Sequence, residues 1–207
     1  RPLYAFVRRS GCSPSEAEDL TQAFFEDLLA RDGIAAADPH RGRFRTFLLS
    51  SFRNFQSKRR RAAAAQKRGG HLSILSIDAI REAEEANQRE PVTDETPDRL
   101  YERKWAGQLL AEALASVYRE YDRLGKGELF NELKIALWGG RRDVSYAEIA
   151  GRTGMTVNAV KMAASRFRRQ VGDQFRKRVA ETVSDPGAIE SEIRHLLAAV
   201  AEQPRYI

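Results

Sequence analysis

The side chains best suited to chemistry in this chain are hydrogen-bond donors near its C-terminal end. Lys161, Ser165 and Arg168 recur at helical spacing and so share one face of a predicted helix. Apolar residues occupy another face of the same helix, namely Val160, Ala163, Ala164, Phe167 and Val171. A helix of this kind buries its apolar face and can present its donors to a groove of DNA.

The residues around this helix predict a helix-turn-helix between residues 145 and 171. Ser145 and Glu148 form a capping box at the start of the first helix. Gly154 suits a tight turn with positive φ, and Thr156 can cap the second helix. An ordinary pair of antiparallel helices with a solvated basic face is the alternative, and this pattern alone does not exclude it.

A second donor-rich segment, residues 41–70, has ten basic residues and no acidic one. Four phenylalanines are interleaved with these charges, at positions 44, 47, 52 and 55. Arginines neutralise phosphates and aromatic rings stack on unpaired bases, so the combination indicates single-stranded or melted DNA. We expect Phe52 and Phe55 to be core residues, whereas Phe44 and Phe47 could pack inside or face a nucleic acid.

No residues suggest catalysis. The hydroxyls of Ser50, Ser51 and Tyr146 have no evident activating partner, and the segment 41–70 offers no carboxylate for a metal. We therefore expect no enzyme, and a nuclease or recombinase is the least favoured class.

Histidine and cysteine usage predicts no metal site, no cofactor and no disulfide. His40, His71 and His195 are scattered, without cysteine or carboxylate partners at metal-ligand spacing. Cys12 is the one cysteine, which suits a reducing compartment. With no signal-peptide pattern and no apolar run that could span a bilayer, we expect a cytoplasmic protein without a membrane partner, and further residues before Arg1.

The charge of this 207-residue chain is unevenly distributed around a net value of +6. Residues 1–70 contain 14 basic and 7 acidic residues, residues 71–100 contain 3 and 8, and residues 141–180 contain 10 and 3. Two basic lobes flank an acidic connector, a distribution that fits a polyanionic partner.

Helical periodicity recurs along the chain and predicts an all-α fold. Outside the helix-turn-helix, we predict helices at 1–10, 14–30, 46–65, 99–122, 128–138 and from Asp185 onward, with a transient helix at most in 74–87. The predicted organisation is a first helical domain at 1–68, an acidic linker at 69–98, a second domain at 99–183 and a C-terminal helical extension at 184–207.

Apolar stripes predict the buried face of each main helix. They are Ala17, Leu20, Phe24 and Leu28; Leu48, Phe52 and Phe55; Leu109, Leu110, Ala113, Leu114 and Val117; and, in the last helix, Ile189, Ile193, Leu196, Leu197 and Val200.

Three segments in this order resemble the bacterial RNA polymerase sigma factors of the extracytoplasmic-function (ECF) type. Residues 17–29 read AEDLTQAFFEDLL and are similar to the region-two helix that docks on the polymerase β′ clamp helices. Residues 44–61, FRTFLLSSFRNFQSKRRR, resemble the segment that opens and reads the minus-ten element. Residues 144–171 resemble the region-four helix-turn-helix that reads the minus-thirty-five element.

The resemblance implies a role for each matching position. Asp19, Gln22 and Glu26 would contact core polymerase. Asn54 would read a flipped minus-ten base in a pocket shaped by the loop 38–43, because its amide both donates and accepts hydrogen bonds. The other implied minus-ten residues are Arg43, Phe44, Phe47, Arg53, Lys58, Arg59, Arg60 and Arg61.

In region four, the implied minus-thirty-five contacts are Thr156, Asn158, Lys161, Met162, Ser165, Arg166, Arg168 and Arg169. Lys161, Met162, Ser165 and Arg166 would face base edges, whereas Arg168 and Arg169 would hold phosphate. The β flap of the polymerase is a second implied docking site, and an anti-sigma factor is left open as a further partner.

A conventional regulator that binds an operator without polymerase is the alternative function. The helix after Asp185 exceeds the minimal two-domain plan of the family. We expect its apolar stripe to pack against the helix-turn-helix domain or to receive a regulator.

Overall fold

A computed structural model describes residues 1–34, 42–67, 95–137 and 145–201 of the chain, without the side chains of residues 64–67. Several predictions lie outside these residues: most of the loop 38–43, the linker from 69 to 94 with its transient helix at 74–87, and two of the three histidines, His40 and His71.

The described residues form eight α-helices and no strand, so the all-α prediction is confirmed. The helices are α1 Pro2–Arg9, α2 Pro14–Ala30, α3 Phe44–Lys67, α4 Pro97–Arg123, α5 Gly127–Leu137, α6 Tyr146–Thr153, α7 Val157–Ala180 and α8 Ile189–Ala201, the last preceded by a 3-10 turn at Pro186–Ala188. None of these described helices is long and apolar enough to cross a membrane.

The chain divides into two compact units. The first unit consists of Arg1–Ala106 and Thr182–Ile207, and the second unit of Gly107–Glu181. The sequence predicts a second domain that begins at residue 99, whereas in this division the start of α4 belongs to the first unit. The reason is Tyr101, which is almost fully buried in the core of the first unit.

Aromatic rings form the centre of the first unit. Phe52 of α3 meets Phe6 of α1 edge-to-face with centroids 6.0 Å apart, and Phe24 of α2 with centroids 5.2 Å apart. Phe52 has no exposed surface, and burying such a ring stabilises the fold by about 2 to 3 kcal/mol. The predicted stripes of α2 and α3 therefore lie in this core, with Leu20 and Phe55 only partly buried.

A second aromatic cluster holds the second unit together. Tyr121 of α4, Phe130 of α5 and Phe167 of α7 meet edge-to-face at centroid distances between 5.5 and 5.9 Å. Every residue of the apolar stripes predicted for α4 and α7 is buried. Helical periodicity was therefore sufficient to identify the buried faces of both helices.

The last helix differs from its prediction in two respects. Its side chains bond with Arg43, Arg45 and Glu102 of the first unit, to which it belongs, whereas the prediction has its apolar stripe pack against the helix-turn-helix domain or receive a regulator. Its buried face also includes Glu192, while Leu197 is 47% exposed. Glu192 lies three residues after Ile189 and four before Leu196, so helical geometry places this carboxylate within the apolar stripe.

Candidate nucleic-acid interface

The predicted helix-turn-helix is present in the second unit. Its first helix begins with a capping box in which the Glu148 amide donates to the Ser145 hydroxyl at 3.2 Å and the Ser145 amide donates to the Glu148 carboxylate at 2.8 Å. Gly154 ends this helix in the left-handed region, with φ of 67°. Residues with a side chain rarely adopt this backbone conformation, so Gly makes the tight turn at low cost.

Packing between the two helices of this motif fixes the position of α7. Ile149, Ala150 and Val160 form a small buried cluster, in which Ile149 and Val160 have no exposed surface. The small side chain of Ala150 lies at this contact, and Val160 points inward as predicted. This packing of Val160 against the first helix fixes the orientation of α7 and therefore determines which of its side chains are exposed.

The outer face of α7 carries the predicted minus-thirty-five residues, all of which are exposed. At 3.6 residues per turn, Asn158, Met162, Ser165 and Arg169 lie along its centre. Lys161 lies on one flank. Met162 is 57% exposed, so its thioether and methyl groups are available to an apolar group such as a thymine methyl.

The flanks of this face differ from each other. Arg168 lies on the same flank as Lys161, and its Nη2 donates to the Tyr146 hydroxyl at 2.9 Å. Arg166 lies on the opposite flank, where it lines a cavity of about 480 Å³ together with Tyr121 and Gln170. Arg166 and Lys161 thus lie on opposite flanks of α7, whereas the resemblance implies that both face base edges.

Thr156 has a structural role in addition to its predicted contact with DNA. Its hydroxyl accepts a hydrogen bond from the Ala159 amide at 3.2 Å and caps α7. The capping hydroxyl can still donate its own hydrogen to a phosphate, because a hydroxyl both donates and accepts.

In the first unit, α3 presents a long exposed face without carboxylates. Asn54, Lys58 and Arg61 recur at i, i+4 and i+7 and are all exposed, as are Arg59 and Arg60. The guanidinium of Arg59 lies over the Phe55 ring, 5.7 Å from its centroid, in a cation–π contact. The face therefore combines one amide with several cations.

Arg53 belongs to this exposed region but already has two partners. Its Nη2 lies 2.7 Å from Oδ1 of Asp98, in a pair whose side chains are each 51% exposed. Its guanidinium also lies 5.6 Å from the centroid of the Phe6 ring. An exposed pair of this kind contributes at most about 1 kcal/mol, so a phosphate can replace Asp98 at little cost.

Phe44 and Phe47, whose role the sequence left open, both pack partly buried against the core of the first unit. Their ring centroids are 6.0 Å apart, and the Phe44 ring is 6.1 Å from that of Trp105. Each ring thus has aromatic neighbours within the protein, and only its remaining surface is available to a base.

Arg45 differs from the other basic residues described in this region because it is buried in ion pairs. It counts among the ten basic residues of 41–70, yet its side chain is 7% exposed and bonded to Glu192 and Glu102. Burial lowers the pKa of Arg45, but the hydrogen bonds and charges of the two carboxylates outweigh it and raise the pKa. Arg45 is therefore a structural cation rather than a phosphate ligand.

Arg43, predicted to contact minus-ten DNA, is also paired with the C-terminal helix. Its Nε lies 2.7 Å from Oε2 of Glu192, and its Nη2 donates to the Ser191 hydroxyl at 3.4 Å. The Arg43 side chain is 33% exposed. No local sequence pattern indicates this contact, because Arg43 and Ser191 are 148 positions apart in the chain.

The predicted polymerase-binding residues of α2 lie together on one exposed face. Asp19, Gln22 and Glu26 are all exposed, and the Gln22 amide donates to the Glu26 carboxylate at 2.9 Å. Two apolar side chains that the sequence reading did not single out, Phe25 and Leu29, are 38% and 64% exposed on the same helix. The α2 surface therefore combines acidic side chains with exposed apolar ones.

Within the described ranges, no group of three or more His, Cys, Asp or Glu side chains is arranged to hold a metal ion. Along α3 and the N-terminal part of α7, most of the exposed polar side chains are hydroxyls, amides and cations, groups that can bind nucleic acid without covalent chemistry.

Comparison of the chain with protein-family models, with curated proteins and with solved structures gave no match. A functional assignment therefore depends on the residue patterns of 17–29, 44–61 and 144–171 and on the surfaces that these residues form.

Proposed function

We propose that the chain is a promoter-recognition subunit of bacterial RNA polymerase, similar to ECF sigma factors. The observation that carries the proposal is the presence of one exposed, carboxylate-free donor face in each compact unit, on α3 in the first and on the N-terminal part of α7 in the second. Two such faces on separate units suit a protein that reads two DNA elements.

The second unit would read duplex DNA. A recognition helix enters the major groove with its exposed side chains toward the base edges. Lys161 is suited to guanine acceptors, Met162 to a thymine methyl, and Arg169 to the phosphate backbone. The buried cluster around Val160 supports these contacts by holding α7 rigidly.

The first unit would bind melted DNA. Asn54 is exposed on α3 and can both donate to and accept from the edge of an extruded base. Lys58 and Arg61 continue the same face and would hold the adjacent phosphates. Because these bases are accessible only in the open state, binding them shifts the DNA population toward that state without any covalent step.

Docking on the polymerase would use α2. Its exposed acids and the neighbouring Phe25 and Leu29 form a surface that combines charge with apolar area. We expect core polymerase to bind there and so to supply the affinity that two small DNA-binding faces lack on their own.

A transcription regulator that binds its operator alone is the second candidate, and the helix-turn-helix favours it equally. Dependence on polymerase separates the two functions. A regulator binds its site without polymerase, commonly as a dimer on a two-fold site.

The test measures the affinity of the chain for a fluorescent promoter fragment, with and without core polymerase. The fragment is selected beforehand from DNA that binds to the complex of the chain with core polymerase. We expect affinity to rise at least about tenfold when core polymerase is present, equivalent to about 1.4 kcal/mol. An affinity that is the same without polymerase would support the regulator instead.

A variant pair assigns the docking surface. Asp19→Ala combined with Leu29→Ala should weaken binding of the chain to core polymerase, while Glu128→Ala, an exposed acid on α5, should leave it unchanged. Equal affinities for both variants would remove α2 as the docking helix.

A further inference from the structure

The C-terminal segment contacts the beginning of α3, where the predicted minus-ten residues start. The amide of Phe44 donates to the carbonyl of Thr182 at 3.0 Å, and the Ser184 hydroxyl donates to the carbonyl of Gly42 at 3.3 Å. Residues 182–201 are thus joined to the start of α3 by one backbone–backbone hydrogen bond and one hydrogen bond from a side chain to the backbone.

Glu192 is the centre of this contact. It is 1% exposed, and its two oxygens are shared between two arginines of the first unit. Arg45 donates from Nε to Oε1 at 2.7 Å and from Nη2 to Oε2 at 3.3 Å, while Nε of Arg43 lies 2.7 Å from Oε2. The buried Arg45 fixes the carboxylate, and the carboxylate in turn holds the partly exposed Arg43.

The contacts of Arg43 with the C-terminal helix use only one edge of its guanidinium. Its contacts with Glu192 and Ser191 use Nε and Nη2, which form one edge of the guanidinium. A guanidinium is planar and rigid, and its second edge, formed by Nη1 and Nη2, matches two oxygens of a phosphate. An arginine held by its first edge can therefore present the second edge in a fixed orientation.

We propose that Glu192 is a positioning residue for promoter binding, acting through Arg43. Residues 182–201 complete the DNA-binding surface of the first unit: Arg45 anchors Glu192, and Glu192 orients Arg43 toward the sugar-phosphate backbone of melted DNA. This inference rests on the proposed function. It adds to that function a residue about 130 positions beyond the minus-ten segment, in a helix that the two-domain plan does not require.

A double-mutant cycle tests the coupling. The full chain, Arg43→Ala, Glu192→Gln and the double variant are each bound to core polymerase and titrated with a promoter fragment carrying a preformed bubble at the minus-ten element. We expect each single variant to weaken binding by about tenfold, the effect of about one charged hydrogen bond, and the double variant to be no weaker than Arg43→Ala. Glu190→Gln, an exposed acid on the same helix, is the control with unchanged affinity.

Glu192→Gln also removes the negative charge that pairs with the buried Arg45, so a second variant that leaves this pair intact is needed. Arg43→Lys retains the charge at position 43 but lacks the two-sided guanidinium. It leaves Arg45 and Glu192 intact, so its fold should be unaffected. If orientation matters, Arg43→Lys should bind the bubble about as weakly as Arg43→Ala.

Several results would overturn the inference. Additive losses in the cycle would show that Glu192 does not act through Arg43, and tighter binding by Glu192→Gln would show that it masks Arg43. Full affinity of Arg43→Lys would show that charge alone suffices. Each of these requires that the unaltered chain binds the fragment with polymerase; a chain that does not bind removes the proposed function and this inference together.

Discussion

Glu192 of α8 and Arg45 of α3 form a buried, doubly hydrogen-bonded ion pair across 147 positions of the chain. The pair makes the C-terminal helix part of the first unit. It also explains how a carboxylate is tolerated within an apolar stripe, since the cost of burying the Glu192 charge is offset by Arg45 and by Arg43.

Breaking this pair should destabilise the first unit. Arg45→Met leaves Glu192 buried without its main partner, and removing one member of a buried ion pair costs about 3 to 5 kcal/mol. We expect a decrease of that size in the free energy of unfolding, measured with denaturant through the fluorescence of Trp105 in a chain that also carries Trp138→Phe.

The double variant Arg45→Met/Glu192→Leu serves as the control for this prediction. Replacing both charges with apolar groups removes the uncompensated carboxylate, so most of the lost stability should return. A single Arg45→Met variant as stable as the parent would contradict the assigned role of the pair.

Asn54→Ala tests the reading of melted DNA. Loss of the amide should lower open-complex formation and relax the base preference at one minus-ten position, because no other group at that site can donate and accept in the same way. Permanganate footprinting of promoters with each base at that position measures both effects. Asn131→Ala, an exposed asparagine of α5, is the matched control, and unchanged selectivity of Asn54→Ala would reject the assignment.

Two residues of α7 should behave differently toward duplex DNA. Arg169→Ala should weaken binding equally for all sequences and reduce the slope of log K against log salt by about 1, as expected for one lost phosphate contact.

Lys161→Ala should instead relax preference at one minus-thirty-five position, at a cost of about 1 to 3 kcal/mol for the preferred base. Salt titrations of wild-type and altered promoters, bound with core polymerase, separate the two effects. Lys134→Ala on α5 should change neither quantity; a uniform loss with Lys161→Ala would reassign that residue to the backbone.

Acid should destabilise the first unit through Glu95. Hydrogen bonds from Arg103, aided by the charges of Arg103 and Arg9, lower the pKa of Glu95 from its ordinary value of 4.5, against an opposing effect of burial. A lowered pKa in the folded state means that the unfolded chain binds the proton first. The stabilisation is therefore present above 4.5 and is lost as the pH falls through the folded pKa.

The variant Glu95→Gln cannot ionise and so isolates this effect. It should be less stable than the parent at about pH 7, and the difference should shrink as the pH falls through the lowered pKa of Glu95, where the parent takes up its proton. Glu16, whose pKa is lowered by hydrogen bonds from the backbone and side chain of Ser13, remains in both proteins and cancels in the comparison. A difference that does not vary with pH would contradict the linkage.

Features that depend on neighbouring residues were predictable from the sequence. The capping boxes at Ser13 and Ser145 and the turn at Gly154 follow from side chains within a few positions. The buried stripe of α7 follows from its 3.6-residue periodicity. The helix-turn-helix is built from these local features, which is why its geometry agrees with the prediction.

Features that depend on distant contacts were not predictable. No local pattern shows that Arg45 is buried or that Tyr101 joins the core of the first unit. The sequence therefore does not reveal that one of the ten basic residues of 41–70 is buried, or that the first unit extends beyond residue 99. One signal was available: Glu192 lies within the apolar stripe of the last helix, where a carboxylate requires a buried cation. The sequence did not indicate which cation this would be.

Transcription in vitro with purified core polymerase, the full chain and a library of random promoter fragments tests the proposed function. We expect transcripts that depend on the chain and start downstream of two shared sequence elements, with Asn54→Ala altering the selected element nearer the start site. Transcription no greater and no more selective than that of core polymerase alone would contradict it.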